Sequence, residues 1–281
     1  MYLITGSTGN TGGPLVDLLH QQGHDVRALV RHPDQAVRFP DGVDVAVGDL
    51  DDPGSLAPAL GGVDAVFHMQ PDGGTSRTRN MIDAMRRADV SKMVLLSSIG
   101  ARLEPKPVIG DGLAAREAVL RDSGLDVTYL RPNTLMSNAL AWADEIREEG
   151  QVTDPTGPGR MPCIDPYDIA RVAALTLVDD GHAGHGYILN GPEALTSREQ
   201  VAILADVLGR DLGFEDVTPA QQAVIAVSRG VSEQEAGAVQ DLNELFRAGR
   251  AGVLSDDVEN LTGIAPRSFR EWCESHADAF R

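Results

Sequence analysis

The chain has 281 residues, 42% of them hydrophobic, enough for one large α/β unit or two modest lobes around a real core. Its formal net charge is −18 and its only lysines are Lys92 and Lys106, so nucleic acid and anionic membranes are excluded as expected partners by simple repulsion. No apolar run approaches the ~20 residues of a membrane span, and Cys163 and Cys273 have neither disulfide-framework nor metal-ligand spacing, so no metal is expected.

The first predicted strand starts at Tyr2, which leaves no room for a leader peptide and predicts a cytoplasmic protein. It runs straight into Gly6, Gly9 and Gly12, three glycines at a three-residue period ahead of an amphipathic helix. Gly6 suits a tight turn, Gly9 lets a pyrophosphate approach the backbone, and Gly12 lets the helix pack against the strand. The helix N-terminus then offers free N–H groups and a positive dipole end to phosphates. The common fingerprint is G-x-G-x-x-G, whereas this chain has G-x-x-G-x-x-G, so the reading leans on the complete βαβ context. The second strand, 26–30, is followed by Arg31, where an acid would bind the ribose 2′-hydroxyl of NAD. A guanidinium suits a 2′-phosphate, and NADP(H) is therefore preferred over NAD(H). The alternative is a solvated surface arginine.

Strands at 43–47, 65–68, 93–97 and 127–130 then alternate with helices at 55–60, 77–88 and 113–123. This alternation predicts a Rossmann-type, doubly wound parallel sheet of order 3-2-1-4-5-6, with ligand at the carboxyl ends of the strands. From Arg131 onward the alternation breaks down, and the remainder reads as mostly helical with one late strand at 187–189. Asp168 is expected to cap a helix over 169–177. The expected division is a nucleotide lobe of residues 1–132, rejoined by 165–190, and a smaller, mostly helical substrate lobe of 133–164 and 191–281. Residues 155–159 are the most linker-like, and 228–235 form a second candidate mobile segment. His68, at a strand end, is a candidate acid or a hydrogen-bonded structural histidine. Met136, Leu140 and Trp142 stand at helical spacing and would line an acceptor pocket or a helix core.

Thr5-Gly-Ser-Thr-Gly-Asn-Thr-Gly12, Ala28-Leu-Val-Arg31, Gly48-Asp-Leu50, Leu95-Leu-Ser-Ser98, Ser123-Gly-Leu125, Tyr129-Leu-Arg-Pro132, Asp168-Ile-Ala170 and Asn190-Gly-Pro-Glu193 together resemble the NmrA-like branch of the atypical short-chain dehydrogenase/reductases over nearly the whole chain. The resemblance implies that Gly6, Thr8, Asn10 and Thr11 line the pyrophosphate and that Arg31 meets the adenosine phosphate. It places Asp49 and Leu50 at adenine, His68, Met69 and Gln70 at the nicotinamide ribose, Ser97 and Ser98 beside the nicotinamide, and Pro132, Asn133 and Thr134 on its far side. The plainer alternatives are that Asp49 opens a turn and that the serines satisfy strand-end backbone groups.

The chain departs from many short-chain reductases in lacking Tyr-x-x-x-Lys: none of Tyr2, Tyr129, Tyr167 and Tyr187 has Lys four residues later. Tyr167 precedes Arg171 by four and reads as structural. Many NmrA-like reductases show a His where Leu113 stands and a Glu where Glu117 stands. Only Glu117 is kept, either functional or a solvent-side residue paired with Arg121. His68, Ser98 and Asn133 are the remaining catalytic candidates. Without a positioned acid, an already polarised acceptor is favoured. The expected activity is NADPH-dependent hydride transfer to a quinone, enone or polycyclic aromatic intermediate, by a monomer or homodimer whose partner is a small aromatic or quinone-like molecule. The alternatives are a non-catalytic NADP(H)-binding redox sensor and a biosynthetic tailoring enzyme on the same fold.

Overall fold

In the computed structural model, which describes residues 1–71 and 74–281, β1 (Tyr2–Ile4) leads through the glycine loop into α1 (Gly12–Gln21), and β2 (Val26–Val30) completes the first βαβ unit. Then come β3 (Asp44–Val47), α2 (Pro53–Ala59), β4 (Ala65–His68), α3 (Ser76–Arg87), β5 (Lys92–Leu96), α4 (Val108–Arg121) and β6 (Asp126–Pro132). The expected strand order holds and gains one member. The sheet runs β3-β2-β1-β4-β5-β6-β8, every pair parallel, with β8 (Gly186–Leu189) reached after α5 (Ala143–Glu149), β7 (Gln151–Asp154) and α6 (Pro166–Val178).

Strand side chains alternate between two apolar layers, as a sheet covered on both faces requires. Ile4, Ala28, Phe67, Val94 and Leu130 pack with Leu15, Val16 and Leu19 of α1 and Ile169, Val172 and Ala173 of α6. Leu3, Leu29, Val66, Met93 and Leu95 pack on the other face with Leu56 of α2, Met81 and Met85 of α3 and Leu120 of α4. Each fully buried Leu or Met contributes about 2 kcal/mol of transfer free energy, so this double cover is the main stabiliser of the sheet.

The C-terminal part continues with α7 (Ser197–Leu208), β9 (Gly213–Asp216), α8 (Pro219–Ser228), α9 (Glu233–Arg247), α10 (Asp257–Thr262) and α11 (Phe269–His276). Ile146, Val152, Leu204, Phe269, Trp272 and Phe280 form a third core there. Four expectations need correction. Residues 133–281 hold a second parallel sheet, β7 with β9, which escaped notice because each strand is four residues long and its partner lies some 60 positions away. α4 begins five residues before Leu113. The cap of α6 is Asp165, whose carboxylate accepts from Tyr167 N, while Asp168 is buried in the first turn, paired with Arg171 and accepting from Arg267 N. Residues 155–159 do not behave as a linker: Thr156 is buried and bonded to Asp154 and Ser197, and a Cβ at Gly159 would lie 2.0 Å from the carbonyl oxygen of Phe246. The candidate mobile segment 228–235 spans the end of α8, a turn at 229–232 and the start of α9, where Ser232 and Glu235 exchange reciprocal capping bonds.

Candidate cofactor and substrate site

Two cavities open at the carboxyl ends of the strands, one on each half of the sheet. The first, about 220 Å³, is bordered by Gly6, Thr8, Gly9, Arg31, Asp49, Leu50 and Met69, all expected from sequence, and by Thr5, Gln35, Gly48, Pro71 and Arg77, which were not. Its floor is the glycine loop. Gly6 adopts φ +63°, and a Cβ at Gly12 would fall 2.2 Å from Gly6 O, so helix and loop touch backbone to backbone. Ser7 Oγ donates to Leu29 O, and Thr5 Oγ1 donates to Met69 O while accepting from Met69 N, which ties the loop to β2 and to the end of β4. Behind it α1 has no acid in its first turn and no side-chain cap on its N-terminal N–H groups. That arrangement fits a pyrophosphate.

Gln35 Oε1 accepts from both Arg31 N and His32 N, which fixes the turn that carries the Arg31 side chain beside this cavity. Among the described residues Arg31 has no carboxylate partner, whereas Arg77 is held by Asp51. Arg38 reaches Thr8 O at 3.4 Å, a second guanidinium next to the loop. Asp49 lines the cavity and also makes the plainer turn, its carboxylate accepting from Asp51 N. Of the other glycine-loop residues, Thr11 is the N-cap of α1 and Asn10 is exposed; neither borders the cavity.

The second cavity, about 200 Å³, starts from Ser98, Asn133 and Thr134 at the ends of β5 and β6 and is closed by apolar side chains from α4 and α9, including Leu113, Leu242 and Phe246. Among the described residues, no charged residue borders it. Pro132 lies beneath, its carbonyl accepting from Ser98 Oγ. The residues of α9 carried no sequence signal, because they arrive more than 100 positions after β6. Met136, Leu140 and Trp142 do not border this cavity. They belong to a 3-10 turn, Met136–Trp142, in which residues three apart eclipse. Met136, Ala139 and Trp142 thus pack into the C-terminal core, and the phase of Leu135 and Asn138 faces the cavity instead.

Three expected residues are buried away from both cavities. His68 is fully buried, its Nε2 within 3.3 Å of Gln70 and Thr78, and desolvation together with the nearby Arg116 lowers its pKa to about 4. It is neutral at physiological pH and reaches neither cavity. Gln70 is bonded to Gly74 O and accepts from Thr78 Oγ1. Ser97 Oγ donates to Glu117 Oε1 at 2.7 Å.

Glu117 itself is not solvent-side. It is 2% exposed and receives a two-pronged bond from Arg131 at 2.8 Å on each oxygen. Burial alone would raise its pKa, but the bonds from Arg131 and Ser97 and the charges of Arg131 and Arg102 outweigh burial and hold the carboxyl below its ordinary value. The Arg131 guanidinium fits only because Gly186 of β8 has no side chain, since a Cβ there would lie 1.9 Å from it.

A family described as NAD(P)H-binding matches residues 6–180. The (4-alkanoyl-5-oxo-2,5-dihydrofuran-3-yl)methyl phosphate reductase of Streptomyces griseus is 38% identical, with 100% of this chain and 99% of that protein covered. The NAD(P)H azoreductase of Xenophilus azovorans is 34% identical at the same coverage. An NADPH-dependent quinone oxidoreductase from Escherichia coli, solved with NADPH, superposes with TM-score 0.88 at 27% identity, covering 99% of this chain and all of that one.

Proposed function

Because the chain belongs to this NAD(P)H-binding family, on the NmrA-like branch of the atypical short-chain dehydrogenase/reductases, and is an NAD(P)H-dependent reductase, we propose that NADPH is its preferred donor and a neutral conjugated carbonyl compound its acceptor. When bound, the cofactor supplies a hydride, which carries the two electrons of the reduction. The glycine loop, Asp49, Leu50 and Met69 would hold its adenosine and pyrophosphate, and Ser98, Asn133 and Thr134 would border its nicotinamide. Residues 1–132 with 165–190 would form the nucleotide lobe, and 133–164 with 191–281 the substrate lobe.

The observation that carries the acceptor reading is the second cavity, largely apolar and, among the described residues, free of charged lining, at the ends of β5 and β6. A desolvated anion would find no cation there, at a cost of several kcal/mol. The dihydrofuranone part of the Streptomyces relative's substrate is therefore what we carry over, and its phosphate is not. No Tyr-x-x-x-Lys pair is present in the sequence, so the chain suits an acceptor whose conjugation already spreads the incoming charge. A tailoring enzyme on the same fold is the second reading, in line with a Streptomyces relative whose name specifies one elaborated dihydrofuranone substrate.

Two measurements test this proposal. With NADPH saturating, 1,4-naphthoquinone is expected to show at least tenfold higher kcat/KM than its 2-sulfonate; equal values would reject the neutral-acceptor reading. Arg31→Ala is expected to weaken NADPH binding about tenfold to hundredfold, as for loss of a charge-assisted phosphate contact, and to leave NADH affinity unchanged. Equal NADPH affinity in the two proteins would remove Arg31 from the phosphate site.

A further inference from the structure

The second cavity contains four polar side chains, and three of them are already engaged. Ser98 Oγ accepts from Gly100 N and donates to Pro132 O. Asn133 directs its carboxamide nitrogen to Ala251 O and its oxygen to Thr134 N, and Thr134 Oγ1 turns to the same oxygen. Asn138 differs. Its backbone N–H closes the 3-10 turn onto Leu135 O, but its exposed carboxamide makes no hydrogen bond among the described residues. The turn holds it on the cavity side by the phase that buries Met136 and Ala139 in the core.

The geometry points to Asn138 as the hydrogen-bond donor to the carbonyl oxygen of the acceptor, an assignment that rests on the reductase reading above. Hydride addition to the far alkene carbon of an enone shifts the C=C pair toward the carbonyl and leaves the carbonyl π pair on oxygen. A proton from water then completes the two-electron reduction, with the nicotinamide left oxidised. The Asn138 N–H meets the charge where it develops, and the apolar walls from α4 and α9 strengthen that bond by excluding water. Removing one such donor elsewhere costs about 10²- to 10³-fold in rate; at this partly open site at least tenfold is expected.

The test uses the full chain. In the NADP⁺ complex, where no hydride is available, calorimetry compares 1,4-naphthoquinone with naphthalene, and parallel assays with NADPH give kcat and KM for the quinone. The wild type is expected to bind the quinone at least tenfold more tightly than naphthalene. Asn138→Ala and Asn138→Asp are expected to erase that preference and lower kcat/KM at least tenfold, with NADP⁺ affinity unchanged. Since the side chain is exposed and unbonded, neither variant should disturb folding, which a melting curve checks. A wild type without the preference, or a variant that keeps it, overturns the assignment. If the wild type shows the preference and the variants lose it while NADPH reduces no quinone or enone, the acceptor reading falls and the Asn138 contact stands.

Discussion

Gly12→Ala is expected to lower NADPH affinity at least a hundredfold, read by fluorescence or calorimetric titration. The added Cβ would stand 2.2 Å from Gly6 O and 2.7 Å from Gly6 C. Both are backbone atoms of a loop that Thr5 and Ser7 bond to neighbouring strands, so no flexible side chain can give way. Helix and loop must separate, and the N–H groups that would meet the pyrophosphate move with them. Gly13, one position on, is the internal control. A Cβ there has no atom closer than 3.5 Å, and Gly13→Ala should bind NADPH within a few fold of wild type. Equal affinities for the two alanine variants would remove the glycine loop from the cofactor site.

The second large effect is on stability. Glu117→Leu leaves the mostly buried Arg131 guanidinium without its carboxylate, at a cost of about 3–5 kcal/mol. For a chain of this size that is a fall in Tm of roughly 10 °C. Glu117→Leu combined with Arg131→Met should recover most of the loss, because the charge left unpaired is removed as well. A single variant melting within 2 °C of wild type would show that the pair carries no weight. The pH dependence has a definite sign. The folded pKa of Glu117 lies below its unfolded value, so its contribution is complete above the unfolded glutamate range and is lost as pH falls through the lower folded value. The stability gap between wild type and Glu117→Leu should therefore be constant from neutral pH to about 6 and shrink below about 4.5, near the ordinary glutamate pKa.

The architecture and most of the lining of the first cavity were legible because they rest on local signals. Strand and helix periods repeat within windows of about ten residues, and right-handed crossovers leave few ways to order the strands. Arg31 and Met69 follow a strand directly and Asp49 comes one residue later, so strand order alone brings them to one rim. The missing Tyr-x-x-x-Lys pair was equally plain, since the tyrosines and the two lysines are there to count.

What the tertiary structure decided depends on contacts between distant positions or on helical phase. Glu117 reads as either a functional residue or a solvent-side one beside Arg121 until β6 brings Arg131 against it and β8 offers Gly186 as space for the guanidinium. His68 stands at a strand end where a catalytic group could be, but α3 covers it with Thr78, and burial keeps it neutral. Residues 135–142 carry apolar side chains that suit either a pocket or a core. An α-helical period of 3.6 would favour Met136 and Leu140 together, whereas the 3-10 period of three buries Met136 with Ala139 and leaves Asn138 on the cavity. The cavity itself exists only because Leu242 and Phe246 of α9 return to close it. Sequence patterns encode which residues prefer which local geometry; which faces meet is set by packing that minimises exposed apolar surface over the whole chain.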